Sequence, residues 1–308
     1  MNLPKRISYL LLLLFLACQP ATKLETAVYP FPTIAPQSYL VFENFPSKNI
    51  PSRDIEVWLP KKYHSLDALP VLYMFDGQNI FHGTSGWSGE FNEGWQVDEV
   101  LDSLIEAKVI QDIMVVGIPN SPNRMSEYMP AKPSGLVKQR IAENTHDWYK
   151  QFATTPPESN EQLKFIVEEL KPFIDANFKT KKDPANTFIA GSSMGGLISA
   201  YAICEYPEVF GGAACFSTHW PPLEGVFLEY LKENLPDPST HKIYFDYGTE
   251  GLDAEYEAFQ KIADAAMEKR GFIKDKNWKT IKFEGHTHHE KDWHRRFHIP
   301  MEFLLNNY

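Results

Sequence analysis

The sequence predicts an α/β fold with a mostly parallel central sheet that is flanked by helices on both faces. The first observation is a series of short runs of consecutive apolar residues, which is typical of strands covered on both sides. The second is that longer segments with apolar residues at helical spacing lie between these runs. Strands that alternate with helices predict a parallel sheet, because each helix returns the chain to the same end of the sheet.

The predicted elements begin with a strand-like run over 39–42 and a half-buried strand over 53–59, where polar and apolar residues alternate until Pro60. Apolar runs predict further strands over 70–75, 112–118, 187–190, 211–217, 241–248 and 278–283. Helical spacing predicts helices over 97–105, 161–178, 253–270 and 293–305, and one that follows Ser193. The region from Asn120 to Ser159 has neither period. An irregular stretch of that length in a compact domain is usually functional, such as a lid or a substrate wall.

The sequence Gly191-Ser192-Ser193-Met194-Gly195 joins a predicted strand to a predicted helix. G-x-S-x-G in this context is typical of the nucleophile elbow of the α/β-hydrolase fold. The turn is too tight for a Cβ at either glycine, and it lifts the Ser193 hydroxyl above the edge of the sheet. The Met194 N–H is left free at the helix N-terminus, where it can stabilise an oxyanion. The alternative is an ordinary loop rich in Gly and Ser.

The partners that a serine nucleophile needs follow in the required order. An α/β-hydrolase carries its acid after a later strand and its histidine in the last strand-to-helix loop. The loop over 248–253 offers Asp253 or, as the alternative, Glu250, and the loop over 285–290 contains three histidines. Asp253 could instead cap the helix that follows it, a common role for aspartate.

Several segments between residues 53 and 305 carry a resemblance to a known family. They are 72–81, 116–120, Arg124, Glu127, Tyr128, 191–196, 244–253, 288–290, Trp293 and Arg296. In these residues the chain resembles the esterase family that includes esterase D and the enterochelin esterases, with bacterial feruloyl esterases as relatives. The resemblance implies an α/β-hydrolase fold and hydrolysis of carboxylic esters without a cofactor.

The family pattern H-x-E-x-x-W distinguishes among the three histidines. It falls on His288, Glu290 and Trp293, which implies that His288 is the general base, with His286 and His289 as alternatives. Three histidines in one loop could instead bind a metal ion. A catalytic zinc site would need further ligands at a defined spacing, such as H-E-x-x-H, which this sequence lacks. We therefore expect no metal.

The resemblance is less specific about the acid. In relatives the acid often lies three residues after the glycine that ends the strand, and that position here is Gly251. Counting back from the following helix gives Asp253, and some siderophore esterases work as Ser–His dyads. The resemblance also implies that the oxyanion hole is formed by the backbone N–H groups of Met194 and of Gln78, in the loop after a central strand.

Three further residues are candidates for the substrate pocket. His219 and Trp220 follow a predicted strand, and they either line the pocket or pack within the loop. Arg124 either binds an anionic group of the substrate or forms a local ion pair with Glu127.

Composition excludes one class of partner. The chain of 308 residues has a formal net charge of -10 with 43% hydrophobic residues. A nucleic-acid-binding protein needs a basic surplus to neutralise phosphates, so we expect no nucleic acid partner. Cys204 and Cys215 lie in apolar segments and are expected to be buried hydrophobes rather than a disulfide.

Residues 1–18 have the features of a targeting segment. Two basic residues precede the apolar run 9–17, which is shorter than the roughly 20 residues of a membrane-spanning helix. The run ends at Cys18, as in a bacterial lipoprotein signal in which this cysteine is lipidated; the alternative is an ordinary signal peptide. We expect a Pro- and Thr-rich tether over 19–37, one domain over 38–308, and an extracytoplasmic location in the bacterial cell envelope.

These observations together predict a serine esterase that works through an acyl-enzyme. Candidate substrates are ferric-siderophore esters and feruloyl or acetyl esters on plant polysaccharide. The alternative from a different class is a catalytically silent hydrolase-fold lipoprotein that binds a ligand or carbohydrate. The sequence does not indicate an oligomeric state.

Overall fold

The structure, a computed structural model, describes residues 39–81, 94–143 and 146–305. Within these ranges the chain forms one sheet of eight strands: β1 (Tyr39–Phe45), β2 (Arg53–Trp58), β3 (Val71–Phe75), β4 (Met114–Ile118), β5 (Thr187–Ser192), β6 (Gly212–Phe216), β7 (Lys242–Gly248) and β8 (Trp278–Phe283). Their order in the sheet is β1-β2-β4-β3-β5-β6-β7-β8. The pairs β1–β2 and β2–β4 are antiparallel, and all other neighbouring pairs are parallel.

The central strands are apolar throughout because both of their faces are covered. All residues of β3, β4, β5 and β6 are buried. Alternate residues of β3 point to opposite sides, so that Tyr73 and Phe75 lie in one apolar cluster and Leu72 and Met74 in the other. The predicted fold class, an α/β fold with helices on both faces, is confirmed.

The described part of the chain contains ten α-helices and six other helical segments. The α-helices are α1 (Val97–Glu106), α2 (Arg124–Tyr128), α3 (Ser134–Glu143), α4 (Ser159–Lys164), α5 (Lys171–Asn177), α6 (Met194–Glu205), α7 (Pro222–Asn234), α8 (Glu257–Arg270), α9 (Glu290–Arg296) and α10 (His298–Leu305). The 3₁₀-helices are Tyr63–Ser65, Gly77–Asn79, Asp147–Ala153, Pro184–Asn186 and Gly251–Glu255, and a π-helical stretch, Phe165–Leu170, joins α4 to α5.

The parallel register brings the functional loops together. Val71 of β3 pairs with Met114 of β4 and with Thr187 of β5, so these strands end at the same edge of the sheet. The loops after β3, β5, β6, β7 and β8 all leave from that carboxyl edge, where ligands bind in open α/β sheets.

Three predicted boundaries differ from the structure. The region 120–159, predicted to be irregular, contains α2, α3 and a 3₁₀-helix. These segments are short, and α3 buries only Val137 among its residues, so no apolar period marks them. The helix predicted over 293–305 is divided at Phe297, and the one predicted from residue 253 begins at Glu257.

The two described cysteines agree with their predicted role, since Cys204 and Cys215 are buried and not bonded to each other. None of the helices in the described residues has the length and apolarity that crossing a membrane requires. The predicted signal segment, Cys18 and the tether lie outside the described residues.

Candidate active site

The Ser193 backbone lies in a strained turn between β5 and α6. Its φ of 59° and ψ of -123° are rare for a residue with a side chain, and such conformations cost on the order of 1–3 kcal/mol. Hydrogen bonds hold the turn from both sides, since Ser193 N–H donates to Phe216 O at 2.9 Å and His219 N–H donates to Ser193 O at 3.1 Å. A Cβ at Gly191 would lie 2.7 Å from the backbone of Gly195, so only glycine fits there. The strained turn and Gly191 agree with the G-x-S-x-G prediction, whereas a Cβ at Gly195 would lie 3.2 Å from its nearest atom, so Gly195 is less strictly required than predicted.

His288 and Asp253 are joined by a short hydrogen bond at the same edge of the sheet. His288 Nδ1 lies 2.5 Å from Asp253 Oδ1. The other carboxylate oxygen of Asp253 accepts hydrogen bonds from Ser217 Oγ at 2.5 Å and from Gly248 N–H at 2.6 Å. Asp253 is fully buried, whereas Glu250 is exposed. The structure therefore pairs Asp253 with His288, and Glu250, the alternative acid, lies apart from this hydrogen bond.

The loops that carry the acid and the histidine are packed tightly together. The N–H groups of Thr249 and Glu250 both donate to His286 O, at 3.1 and 3.0 Å. A Cβ at Gly248 would lie 2.2 Å from the same carbonyl oxygen, which excludes any other residue there. His289 caps α9, because its Nδ1 accepts from Lys291 N–H. Each histidine of the loop thus has a different environment, and only His288 faces the acid.

The surroundings of Asp253 favour its ionised form. Burial acts to raise the pKa of the Asp253 carboxyl. The net effect is nevertheless a pKa below the usual value, because His288 stabilises the carboxylate by its hydrogen bond and electrostatically, and Ser217 and Gly248 donate hydrogen bonds to it. A carboxylate in this position fixes the proton of His288 on Nδ1. The Nε2 atom of His288 is then the basic nitrogen.

The proposed oxyanion donors lie at the starts of two helical segments. Met194 is the first residue of α6, and Gln78 lies in the 3₁₀-helix that follows β3. Neither backbone N–H donates to another described backbone group. In the described part of the chain, His288 is hydrogen-bonded to Asp253 but not to the Ser193 hydroxyl. The hydrogen bond between a catalytic serine and its histidine is often long before substrate binds.

Arg124 is bound to Asp76 and not to Glu127. Its Nε and one terminal nitrogen donate to the two Asp76 oxygens at 2.7 and 2.6 Å. Glu127 instead forms a buried ion pair with Arg53 at 3.0 Å. The predicted local pair is therefore wrong. The acid that binds Arg124 lies 48 residues earlier in the chain, where sequence spacing cannot reveal it.

The chain matches a known family over most of its length. Residues 51–299 match the Esterase family, described as "Putative esterase". The chain belongs to this esterase family. The resemblance on which the sequence prediction depended is thereby confirmed.

Individual relatives agree with this membership. The chain is 25% identical over 265 residues to the protein YbbA of Bacillus subtilis, covering 82% of this chain and 92% of that protein. It is 31% identical over 250 residues to an endo-1,4-beta-xylanase/feruloyl esterase of Xylanibacter ruminicola, which is 78% of this chain and 27% of that protein. The crystal structure of an enterochelin esterase from Shigella flexneri superposes with a TM-score of 0.62 at 17% identity, over 90% of this chain and 60% of that one. The shared fold is of the α/β-hydrolase type.

In this esterase, Asp253 is backed by a group of buried polar residues. We call Ser217, Asp246, Asp253 and Arg296 the acid-side cluster. Ser217 Oγ donates to Asp253 and accepts from an Arg296 nitrogen at 2.6 Å. The same nitrogen lies 3.0 Å from Asp246 Oδ1. Burial raises the pKa of the Asp246 carboxyl, while the nearby Arg296 charge acts in the opposite direction.

The sequence prediction did not assign functional roles to the members of the acid-side cluster other than Asp253. Two signals were present. Ser217 and Asp246 lie at the carboxyl ends of β6 and β7, and Arg296 was among the residues that carry the family resemblance. Their contacts join residues up to 79 positions apart, so only the folded structure reveals the cluster.

The two candidate pocket residues after β6 have different environments. Trp220 is 1% exposed, and its indole N–H donates to Gln260 Oε1 at 2.9 Å. It therefore packs in the core, which agrees with the second of its two predicted roles, packing within the loop. His219 lies beside the elbow, with its Nδ1 atom 2.6 Å from the Tyr256 hydroxyl.

Over 39–81, 94–143 and 146–305, no three His, Cys, Asp or Glu side chains converge in a way that could hold a metal ion.

Proposed function

We propose that the protein is a serine esterase that cleaves carboxylic esters through an acyl-enzyme. The observation that carries the proposal is the strained Ser193 turn at the same sheet edge as the His288–Asp253 hydrogen bond. The three residues also occur in the chain order Ser, Asp, His that hydrolases of this fold use.

His288 Nε2 would remove the proton from Ser193 Oγ as the hydroxyl attacks the ester carbonyl. Asp253 would hold the imidazole in the required tautomer and stabilise the imidazolium that forms. The backbone N–H groups of Met194 and Gln78 would bind the oxyanion. His288 would then protonate the leaving alcohol, and the same residues would activate a water molecule that hydrolyses the acyl-enzyme.

The relatives support two classes of substrate. A bifunctional relative is named as a feruloyl esterase, and a structural neighbour is an enterochelin esterase. We infer that this enzyme acts on a siderophore ester or on feruloyl or acetyl esters of polysaccharide. The competing function, a catalytically silent binding protein, is disfavoured because the serine, acid and histidine positions are all filled.

Hydrolysis of p-nitrophenyl acetate by the wild type and by Ser193→Ala tests the proposal. We expect turnover to fall by roughly 10³-fold or more in this variant, because the nucleophile is lost. Ser192→Ala is the matched control, since it changes a neighbouring buried serine of the same turn and should retain activity. Equal rates in wild type and Ser193→Ala would contradict a serine esterase and favour the binding protein.

We also propose that the protein is anchored to a bacterial membrane through a lipid on Cys18. The support is the position of this cysteine directly after the apolar run 9–17, followed by the Pro-rich segment 19–37. Cys18→Ser should move the protein from the membrane fraction to the soluble fraction. Unchanged membrane association of Cys18→Ser would contradict the anchor.

A further inference from the structure

A second histidine, His219, is fixed beside the proposed nucleophile. Its backbone N–H donates to Ser193 O at 3.1 Å, which ties it to the elbow directly. Its ring packs against Tyr256 with centroids 5.7 Å apart, and Tyr256 packs edge-on against His288 at 5.8 Å. His219 is therefore bonded to Ser193 through the backbone, and the Tyr256 ring lies between its ring and that of His288.

The hydrogen bond to Tyr256 determines which nitrogen of His219 carries the proton. Tyr256 is fully buried, and among the described residues its hydroxyl bonds only to His219 Nδ1. If Nδ1 carried the proton, the hydroxyl proton of Tyr256 would be buried without an acceptor, which is unfavourable. The Tyr256 O–H therefore donates to Nδ1, and the proton of the imidazole is on Nε2.

The Nε2–H group is available to a bound molecule. It forms no hydrogen bond with a described residue, yet it is not one of the enclosed polar atoms that lack a partner. It therefore reaches solvent, although His219 as a whole is only 6% exposed. A fixed donor with little exposed surface around it is typical of a ligand contact.

His219 acts as a neutral donor. Burial is the largest cause, and together with the neighbouring His288 and Arg124 it lowers the pKa of the His219 imidazole to about 3, although Asp253 acts in the opposite direction. An uncharged N–H does not compete with His288 for the proton of Ser193. It suits an uncharged oxygen acceptor of a ligand.

We propose that His219 is a specificity-determining residue whose Nε2–H donates a hydrogen bond to a substrate oxygen outside the scissile ester group. The substrate class is then an ester that carries a hydroxyl, phenolic or ether oxygen in its acyl or alcohol part, in preference to a plain alkyl ester. This inference rests on the esterase function proposed above.

The test compares esters that differ by one oxygen. Three pairs cover different positions: ethyl 3-hydroxybutyrate with ethyl butyrate, 2-hydroxyethyl butyrate with propyl butyrate, and methyl 4-hydroxycinnamate with methyl cinnamate. The kcat/KM for each ester is measured by titrating the acid released. The wild type should prefer the oxygenated ester in at least one pair by about tenfold, as expected when a fixed polar group would otherwise be left unpaired.

His219→Phe keeps the ring but removes the donor. It should abolish that preference, because kcat/KM for the oxygenated ester should fall by about tenfold more than kcat/KM for the plain ester. His219→Gln retains an amide N–H and should keep part of the preference. Tyr256→Phe leaves Nε2 in place but no longer fixes its proton, and it should reduce the preference by roughly two- to threefold. His219→Gln and Tyr256→Phe decide the matter if His219→Phe does not fold.

Each result is decisive. A wild type that cleaves the plain esters without any preference overturns the role of His219 and leaves the esterase function intact. Equal losses on both members of a pair in His219→Phe, or in the two substitute variants, show a structural role only and also overturn it. A wild type that cleaves none of the esters overturns the esterase function, and with it this inference.

Discussion

Two arginine–carboxylate pairs flank the Ser193 turn, and they differ mainly in burial. Arg296 and Asp246 of the acid-side cluster have side chains that are 1% and 0% exposed. The pair of Arg124 and Asp76 is 28% and 11% exposed, although its two hydrogen bonds are shorter.

Because the two pairs differ in burial, we expect the acid-side cluster to contribute more to stability than the Asp76–Arg124 pair does. A charge in the acid-side cluster cannot be solvated if its partner is lost, so the cluster stabilises the fold while it holds Asp253 in place. The Asp76–Arg124 pair retains contact with water, so breaking it costs less. Asp76 directly precedes the 3₁₀-helix with Gln78, and Asn120 bonds to both Asp76 and Gln78, so this pair positions the proposed oxyanion donor.

The largest effect is expected from the acid itself. Asp253→Asn should lower kcat by up to about 10⁴-fold, because the amide can donate to Nδ1 and so favours the wrong tautomer of His288. Glu250→Gln is the control and should change kcat by less than about twofold, since Glu250 is exposed. Steady-state kinetics of both variants decides the assignment, and a loss confined to Glu250→Gln would reverse it.

The next effect is on stability. Arg296→Met should lower the free energy of unfolding by about 3–5 kcal/mol, because it leaves buried carboxylates without a cation. Arg124→Met should lower it by about 1 kcal/mol, because Asp76 can be partly solvated. Urea unfolding measures both. Asp246→Asn in the Arg296→Met background should restore part of the loss, and equal losses in the two single variants would contradict the comparison.

The smallest effect is expected from the more exposed pair. Asp76→Asn should leave the free energy of unfolding within about 1 kcal/mol of wild type but lower kcat by roughly tenfold, a fraction of what loss of an oxyanion donor costs. Glu106→Gln, which breaks an exposed ion pair with Lys61, is the control and should leave kcat unchanged. A large stability loss with unchanged kcat in Asp76→Asn would show that the pair does not position the donor.

The predictable part of this molecule is local. Apolar runs identified the central strands because those strands are buried on both faces. The glycine pattern identified the elbow because the turn leaves no room for a Cβ at Gly191. Helix α3 was not predicted, because only Val137 of its residues is buried and its sequence therefore has no clear apolar period.

The contacts that the sequence could not predict join distant residues. Burial separated Asp253 from Glu250, only three residues apart, and Asp253 is contacted by His288 of the histidine loop and by Arg296 of α9. The partner of Arg124 and the core position of Trp220 likewise depend on elements far along the chain.

The central claim is that Ser193 is a nucleophile activated by His288 and Asp253. Labelling with a fluorophosphonate, followed by mass spectrometry of the modified peptide, tests it most directly, because the reagent forms a covalent bond only with an activated serine. We predict one adduct, on Ser193, that forms rapidly in the wild type and much more slowly in Asp253→Asn. An adduct on another residue, or equal labelling rates in both proteins, would contradict this account.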